Sequence, residues 1–153
     1  SGASVLELGS GPGSDWEILH KDYVVVGSDF SIQFLERLIT KYPKGTFLEL
    51  DATTLDTDQQ FDVIYSNKVM HHLKDEGIKA SLQRQYELLN HAGIICHSFW
   101  KGEGSEIFKG MFVKYYTSDS LKSLIEPQFE ILLIEDYNEF EDSDSILLIA
   151  RKK

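Results

Sequence analysis

Three glycines at alternate positions, Gly9, Gly11 and Gly13, close a short apolar run over residues 5–8 that is broken only by Glu7. A glycine turn after a strand lets backbone approach a ligand closely, and a helix starting there aims its free N–H groups at it. The spacing is not that of a dinucleotide loop, whose third glycine would stand at position 14, where this chain has Ser14. No Gly-Lys-Ser/Thr follows, which excludes a phosphate-binding P-loop. Glu7 sets the chemistry. A carboxylate two positions ahead of the first glycine repels a pyrophosphate and attracts an ammonium or sulfonium group, directly or through water. Farther along, His71 and His72 lie side by side, and an unperturbed imidazole titrates near neutrality, so they lead the candidates for a proton acceptor. Capping or packing is the other use for either of them.

The elements that must position these residues alternate in kind. Residues 23–26 are apolar throughout and β-branched from Val24 on, as in a strand buried on both faces. Residues 46–50, 61–65 and 94–99 read as further strands. Between them, residues 14–20 form a short helix, and Ser31 caps one over 32–42, with Ile32, Phe34, Leu35, Leu38 and Ile39 at helical spacing and Pro43 and Gly45 as the stop. Residues 75–89 make a long helix with Ile78, Leu82, Tyr86 and Leu89 on one face, and 90–93 turn the chain. Ser118 caps a helix over 119–125 that ends at Pro127. Strands 129–134 and 145–150 close the chain, joined by an acidic loop instead of a helix. Repeated strand–helix units specify a three-layer α/β domain with a mostly parallel sheet, and the final pair an antiparallel hairpin at one edge. A ligand then belongs at the carboxyl ends of the strands, at the switch point beside the first.

Composition narrows the partners. The 153 residues fit one domain, and 42% hydrophobic with 26% charged residues is ordinary for a soluble globular protein. No apolar run approaches the roughly 20 residues that span a bilayer, and Ser1 leads straight into a strand-like run instead of a signal peptide, so the expected compartment is cytoplasmic. A net charge of −10 argues against nucleic acid and for a small-molecule or side-chain partner. The single cysteine, Cys96, sits in an apolar stretch and reads as packing, and its solitude fits a reducing interior. The five histidines lack metal-ligand spacing, so no metal is invoked. The sequence carries no signature of an oligomeric state.

The segment Glu7-Leu8-Gly9-Ser10-Gly11-Pro12-Gly13 resembles motif I of class I S-adenosylmethionine-dependent methyltransferases, acidic-x-Gly-x-Gly-x-Gly. Asp29, Asp51-Ala52, the run Phe61–Asn67 and the stretch Val69-Met70-His71-His72-Leu73 follow in the family's order, the last as in its small-molecule, type 11-like branch. The resemblance implies a Rossmann-like methyltransferase sandwich with seven strands in the order 3-2-1-4-5-7-6, and S-adenosylmethionine as cofactor. It further implies that Glu7, Gly9, Ser10, Gly11 and Gly13 wrap the methionine part and that Asp29 accepts from both ribose hydroxyls. Read alone, Asp29 is equally an acid at a helix N-terminus. Asp51 and Ala52 would hold adenine, with Phe30 against its face, and Ser66 and Asn67 would pass beneath the sulfonium. The lid helices that the family carries before its first strand are absent from these residues, either removed or never there.

Methyl transfer from a sulfonium asks the protein to align the acceptor, exclude water and, for a weakly acidic acceptor, remove a proton. His71 and His72 are the candidates for that base, although positioning alone suffices in many such enzymes. The substrate pocket is expected from Phe99 and Trp100 at the end of the fifth strand and from Tyr115 and Tyr116 beyond it. Phe108, Met111, Phe112 and Tyr115 are spaced either to pack a helix on the sheet or to line an aromatic cage. The leading function is methyl transfer to a small molecule. The competing readings are a methyltransferase-like binding module without turnover and, disfavoured by Glu7 and Ser14, a nicotinamide-dependent oxidoreductase.

Overall fold

A computed structural model describes residues 2–153; Ser1, from which the strand-like start was read, lies outside them. The chain runs β1 (Ser4–Leu8), α1 (Ser14–Leu19), β2 (Val24–Asp29), α2 (Ile32–Lys41), β3 (Thr46–Glu49) and β4 (Phe61–Asn67). A single 3-10 turn, Met70–His72, leads into α3 (Asp75–Leu88) and the long strand β5 (Leu89–Trp100). Then come β6 (Ser105–Phe108), β7 (Met111–Lys114), α4 (Ser118–Ile125), β8 (Phe129–Tyr137) and β9 (Ser145–Lys152).

Seven strands form one sheet in the order β3-β2-β1-β4-β5-β9-β8. β1 to β5 are parallel, and β9 enters antiparallel between β5 and β8. Counting only those seven strands, the order is 3-2-1-4-5-7-6, as the resemblance implies. The chain leaves β1 toward β2 on one side and returns as β4 on the other. The loops after β1 and β4 therefore diverge and open a crevice at the carboxyl ends.

Alternation along the strands splits the apolar residues between two faces. Leu6, Leu8, Ile64, Ile95, Phe99 and Leu148 pack with Ile78 and Leu82 of α3 and Leu121 and Ile125 of α4. On the opposite face Val5 and Val25 pack with Trp16 of α1, joined by Tyr42, Phe47, Val63 and Tyr65. Among the described residues no helix is long and apolar enough to cross a membrane.

Three local readings change. Residues 105–114 form a hairpin, not a helix. Lys109 and Gly110 both have positive φ (51° and 81°), the backbone of a tight two-residue hairpin turn, and Phe108 pairs with Met111 across it. Turn chemistry here overrides apolar spacing that happens to match a helical period. The last helix is capped by Thr117 instead of Ser118: Thr117 Oγ1 accepts from Ser120 N–H (3.0 Å), and Ser120 Oγ accepts from Thr117 N–H (2.9 Å). Residues 90–93 do not end an element but bulge within β5. Leu89 stays paired with Phe61, and pairing resumes at Ile94 opposite Val63.

Candidate active site

The glycine turn is dictated sterically. Gly9 has φ 62°, and a Cβ on it would come within 2.6 Å of Val69 Cγ2. Gly13 has φ 90°, and its Cβ would meet Leu38 at 2.8 Å and Tyr42 at 3.0 Å, so the third glycine lets α1 start against α2. Gly11, φ 53°, has no neighbour nearer than 3.9 Å, which leaves its face of the turn open to a ligand.

Hydrogen bonds staple the turn to β2. Ser10 N–H donates to the Ser28 carbonyl (2.7 Å), Ser28 N–H to Ser10 Oγ (3.1 Å) and Ser28 Oγ–H to the Glu7 carbonyl (2.7 Å). Asp29 closes the staple, with Oδ2 accepting from Gly11 N–H and Oδ1 from Ser31 N–H, both at 2.9 Å. Each of its oxygens keeps a further lone pair. Asp29 thus holds the loop and the entry to α2 together.

Glu7 is 3% exposed and accepts from Ser10 Oγ–H at 2.6 Å. Burial pushes its carboxyl up to about 7; the Ser10 bond opposes this, and the negative charges of Asp15 and Asp29 add to it. Asp15, in the first turn of α1, accepts from Tyr65 Oη–H (2.8 Å) and from Asn67 Nδ2 (3.2 Å). Asp15 and Asp29 are thus near enough to Glu7 for their charges to be felt there, and the three acids make the turn's surroundings negative. At the end of β3, Asp51 Oδ1 accepts from Thr53 N–H (2.8 Å). Phe30 stands out at 66% exposed.

A buried polar chain joins the two ends of this crevice, and its direction is forced. The Ala52 carbonyl only accepts, so Ser81 Oγ–H donates to it. Ser81 must then accept from Gln85 Nε2 (3.0 Å), which leaves Gln85 Oε1 to accept from His97 Nε2–H (2.7 Å). His97 Nδ1 is then the acceptor for Ser66 Oγ–H (2.6 Å). Complete burial pushes His97 down to about 3, so it stays neutral. Ser66 turns its hydroxyl into this chain, while Asn67 faces the crevice side, with its Oδ1 accepting from Ser98 Oγ–H (2.6 Å).

Beyond β4 the 3-10 turn carries the two histidines, their rings 4.0 Å apart. His71 is 3% exposed, with Nδ1 unpartnered among the described residues; burial first, then the charges of His72 and Lys68, push it down to about 3. His72 Nδ1 lies 2.9 Å from the Phe112 carbonyl, which only accepts, so Nδ1 carries a proton, and in the neutral ring the lone pair is on Nε2. Both histidines line a cavity of about 670 Å³ with Trp100, Phe108, Tyr115 and Phe140. Phe99 and Tyr116, expected on this wall, are 1% and 2% exposed and pack edge-to-face in the core at 5.1 Å. The reason is alternation: each neighbours a residue, Trp100 or Tyr115, whose side chain leaves on the cavity side.

Sequence reasoning missed Gly27 and Asp15. A Cβ on Gly27 would meet Phe47 at 2.6 Å and Ser10 Oγ at 2.9 Å, and a glycine amid β-branched residues was the available signal for such close approach. Asp15 had none, because its partners lie 50 and 52 residues away.

A profile of the methyltransferase domain family matches residues 5–93. Trans-aconitate 2-methyltransferase of Agrobacterium fabrum is 29% identical over 92 residues, covering 58% of this chain and 35% of that protein. The chain thus spans about a third of the length of this curated relative. Among solved structures, 1,6-didemethyltoxoflavin-N1-methyltransferase of Burkholderia thailandensis, with bound 1,6-didemethyltoxoflavin and S-adenosylhomocysteine, superposes with a TM-score of 0.84 at 21% identity, over 99% of this chain and 71% of that one. An S-adenosylmethionine-dependent methyltransferase from Clostridium acetobutylicum gives 0.82 at 13% identity, over 97% and 83%. One from Methanosarcina mazei gives 0.86 at 16%, over 99% and 92%. At these identities the likeness is one of fold. Family profile, sheet order and glycine turn agree, and the chain belongs to the methyltransferase domain family, with the class I fold.

Proposed function

We propose that the chain binds S-adenosylmethionine in the crevice between the loops after β1 and β4 and transfers its methyl group to a small molecule held beside His71 and His72. The observation that carries this reading is the nearness of Asp15 and Asp29 to Glu7 at an open glycine turn, acidic surroundings suited to a sulfonium and an ammonium and hostile to a pyrophosphate. When bound, S-adenosylmethionine supplies an electrophilic methyl carbon, so the acceptor's lone pair forms the new bond as the carbon–sulfur bond breaks and its electron pair leaves with sulfur.

In this reading Gly9, Ser10, Gly11 and Gly13 wrap the methionine part, and Asp29 offers its remaining lone pairs to the ribose hydroxyls. Asp51 and Ala52 hold the adenine, with Phe30 folded over it, and Asn67 and the Ser66 backbone floor the reacting centre. His72 takes the acceptor's proton at Nε2, with its ring oriented by the Phe112 carbonyl. His71, neutral at all physiological pH values, orients the acceptor and takes no proton. Titration calorimetry with S-adenosylhomocysteine tests the base of this assignment. The chain is expected to bind it, and Asp29→Asn to weaken binding about tenfold or more, since charge-assisted bonds to two hydroxyls are lost. Absence of binding, or a Kd unmoved by the substitution, would refute it.

A further inference from the structure

We infer that the acceptor is an amine carried on an apolar, ring-sized body; this rests on the methyltransferase reading above. The cavity beside His71 and His72, about 670 Å³, is of the size that encloses a small ligand. Its walls are the rings of Trp100, Phe108, Tyr115 and Phe140, and its charged members are Lys101, Glu141 and Asp144.

The charge balance decides which acceptor fits. Lys101 is bound to Asp136 through its ammonium, and Lys68, just behind the wall, is bound to Glu139 (2.8 Å) and Ser145 Oγ (2.9 Å). Both of these cations are therefore neutralised, which leaves the ammonium of Lys109, 5.4 Å from the centroid of the Phe108 ring, as a single positive charge against the carboxylates. Asp144 is an ionised carboxylate: against the cost of burial, the N–H groups of Glu139, Phe140 and Glu141 and the Ser145 hydroxyl hold it well below the usual carboxylate range. With Glu141 beside it, the uncompensated charge at the cavity is negative, and low-dielectric walls focus such a field.

The wall already demonstrates its preference on one of the chain's own groups. Lys68 Nζ lies 3.2 Å from the centroid of the Trp100 ring and 5.6 Å from that of Tyr137. Phe140 stacks on Trp100 at 6.0 Å and is itself 82% exposed as a residue, and so presents aromatic surface to whatever enters. Rings beside carboxylates that have no cationic partner among the described residues receive an ammonium. A carboxylate acceptor would meet the like charge of Glu141 and Asp144, which the one ammonium of Lys109 offsets only in part. The bound ammonium gives one proton to His72 Nε2 and leaves a neutral amine, whose lone pair takes the methyl group while the carbon–sulfur electron pair leaves with sulfur. The product is a methylammonium cation, and His72 returns its proton to solvent.

Two probes with nearly the same carbon frame and opposite charge, 2-phenylethylamine and phenylacetate, separate the alternatives. Each is titrated calorimetrically into the chain with and without saturating S-adenosylhomocysteine, whose own binding is measured first. The amine is expected to bind about tenfold more tightly than the carboxylate, and Glu141→Gln to reduce that preference about threefold, with the affinity for S-adenosylhomocysteine unchanged. Phe140→Ala is expected to weaken the amine about threefold and leave the carboxylate unaffected. Equal or tighter binding of phenylacetate, no binding of either probe, or a preference untouched by both substitutions would overturn the inference. Failure to bind S-adenosylhomocysteine would instead overturn the methyltransferase reading, and the amine preference would still be read from the titrations without it.

Discussion

Glu7 is the residue where burial and ligand chemistry meet. With its carboxyl pushed up to about 7, close to half of the molecules carry a proton there at neutral pH. A cation seated above the carboxylate favours its charged form and pulls that value down, so binding expels the proton. Binding of S-adenosylmethionine is therefore expected to release a fraction of a proton at pH 7 and to tighten as pH rises from 6 to 8. Calorimetry in buffers of different ionisation heat reads this directly. Glu7→Gln should abolish both the release and the pH dependence while weakening binding, and a proton release that survives the substitution would place the titrating group elsewhere. The placement of Glu7, Gly9, Gly11, Gly13, Asp29 and Asp51 at or just past strand ends was legible in the sequence because it is local, set by where each apolar run stops. Asp15 was not, since it acquires its role only when α1 docks against β4.

At the scale of elements, the polar chain from Ser66 through His97, Gln85 and Ser81 to Ala52 ties β4, β5 and α3 to the loop after β3. Every member donates in one direction, so removing one leaves both its neighbours short of a partner in a dry interior. His97→Phe is expected to cost about 2–3 kcal/mol, because Gln85 Oε1 and the Ser66 hydroxyl both lose their bonds. Urea denaturation measures this, and a cost under about 0.5 kcal/mol would mean that the chain is not a structural unit. The sequence placed His97 within its strand but could not reveal this chain, because the partners of His97 itself lie 12 and 31 residues away and Ser81 reaches 29 residues back to Ala52. Elements were legible wherever pattern and punctuation agreed: Ser31 does cap α2, with its Oγ accepting from Phe34 N–H at 3.3 Å. They were misread where the two conflicted. Phe108, Met111, Phe112 and Tyr115 have a helical interval, but two positive-φ residues at 109 and 110 bend the chain back before a helix can form.

For the whole molecule, three buried groups set the pH dependence of stability. His71 and His97 sit near 3 when folded against an ordinary 6.5, so as pH falls the unfolded chain takes up these protons first and folding is penalised. Glu7 works the other way: it sits near 7 when folded against an ordinary 4.5, so its contribution is complete below pH 4.5 and is lost as pH rises to 7. Between pH 4.5 and 6.5 the unfolded chain binds two imidazole protons and the folded chain one carboxyl proton. The difference of one proton raises stability by about 1.4 kcal/mol per pH unit. Asp62 and Asp144, both held below their ordinary 3.8, act only under that value and do not enter this window. From pH 7 upward the last imidazole protons of the unfolded chain and the last carboxyl protons of the folded chain come off together, and the curve flattens. It falls again past pH 9, where Cys96, raised by burial, keeps its proton in the folded chain while the unfolded chain loses it, and Tyr65 and Tyr116, raised likewise, add to the fall past pH 10. Unfolding free energies from urea titrations at pH 5, 6, 7 and 8 should therefore climb to pH 7 and then level. A maximum below pH 6 would mean that Glu7 outweighs the two histidines, and that at least one imidazole is solvated in the folded chain.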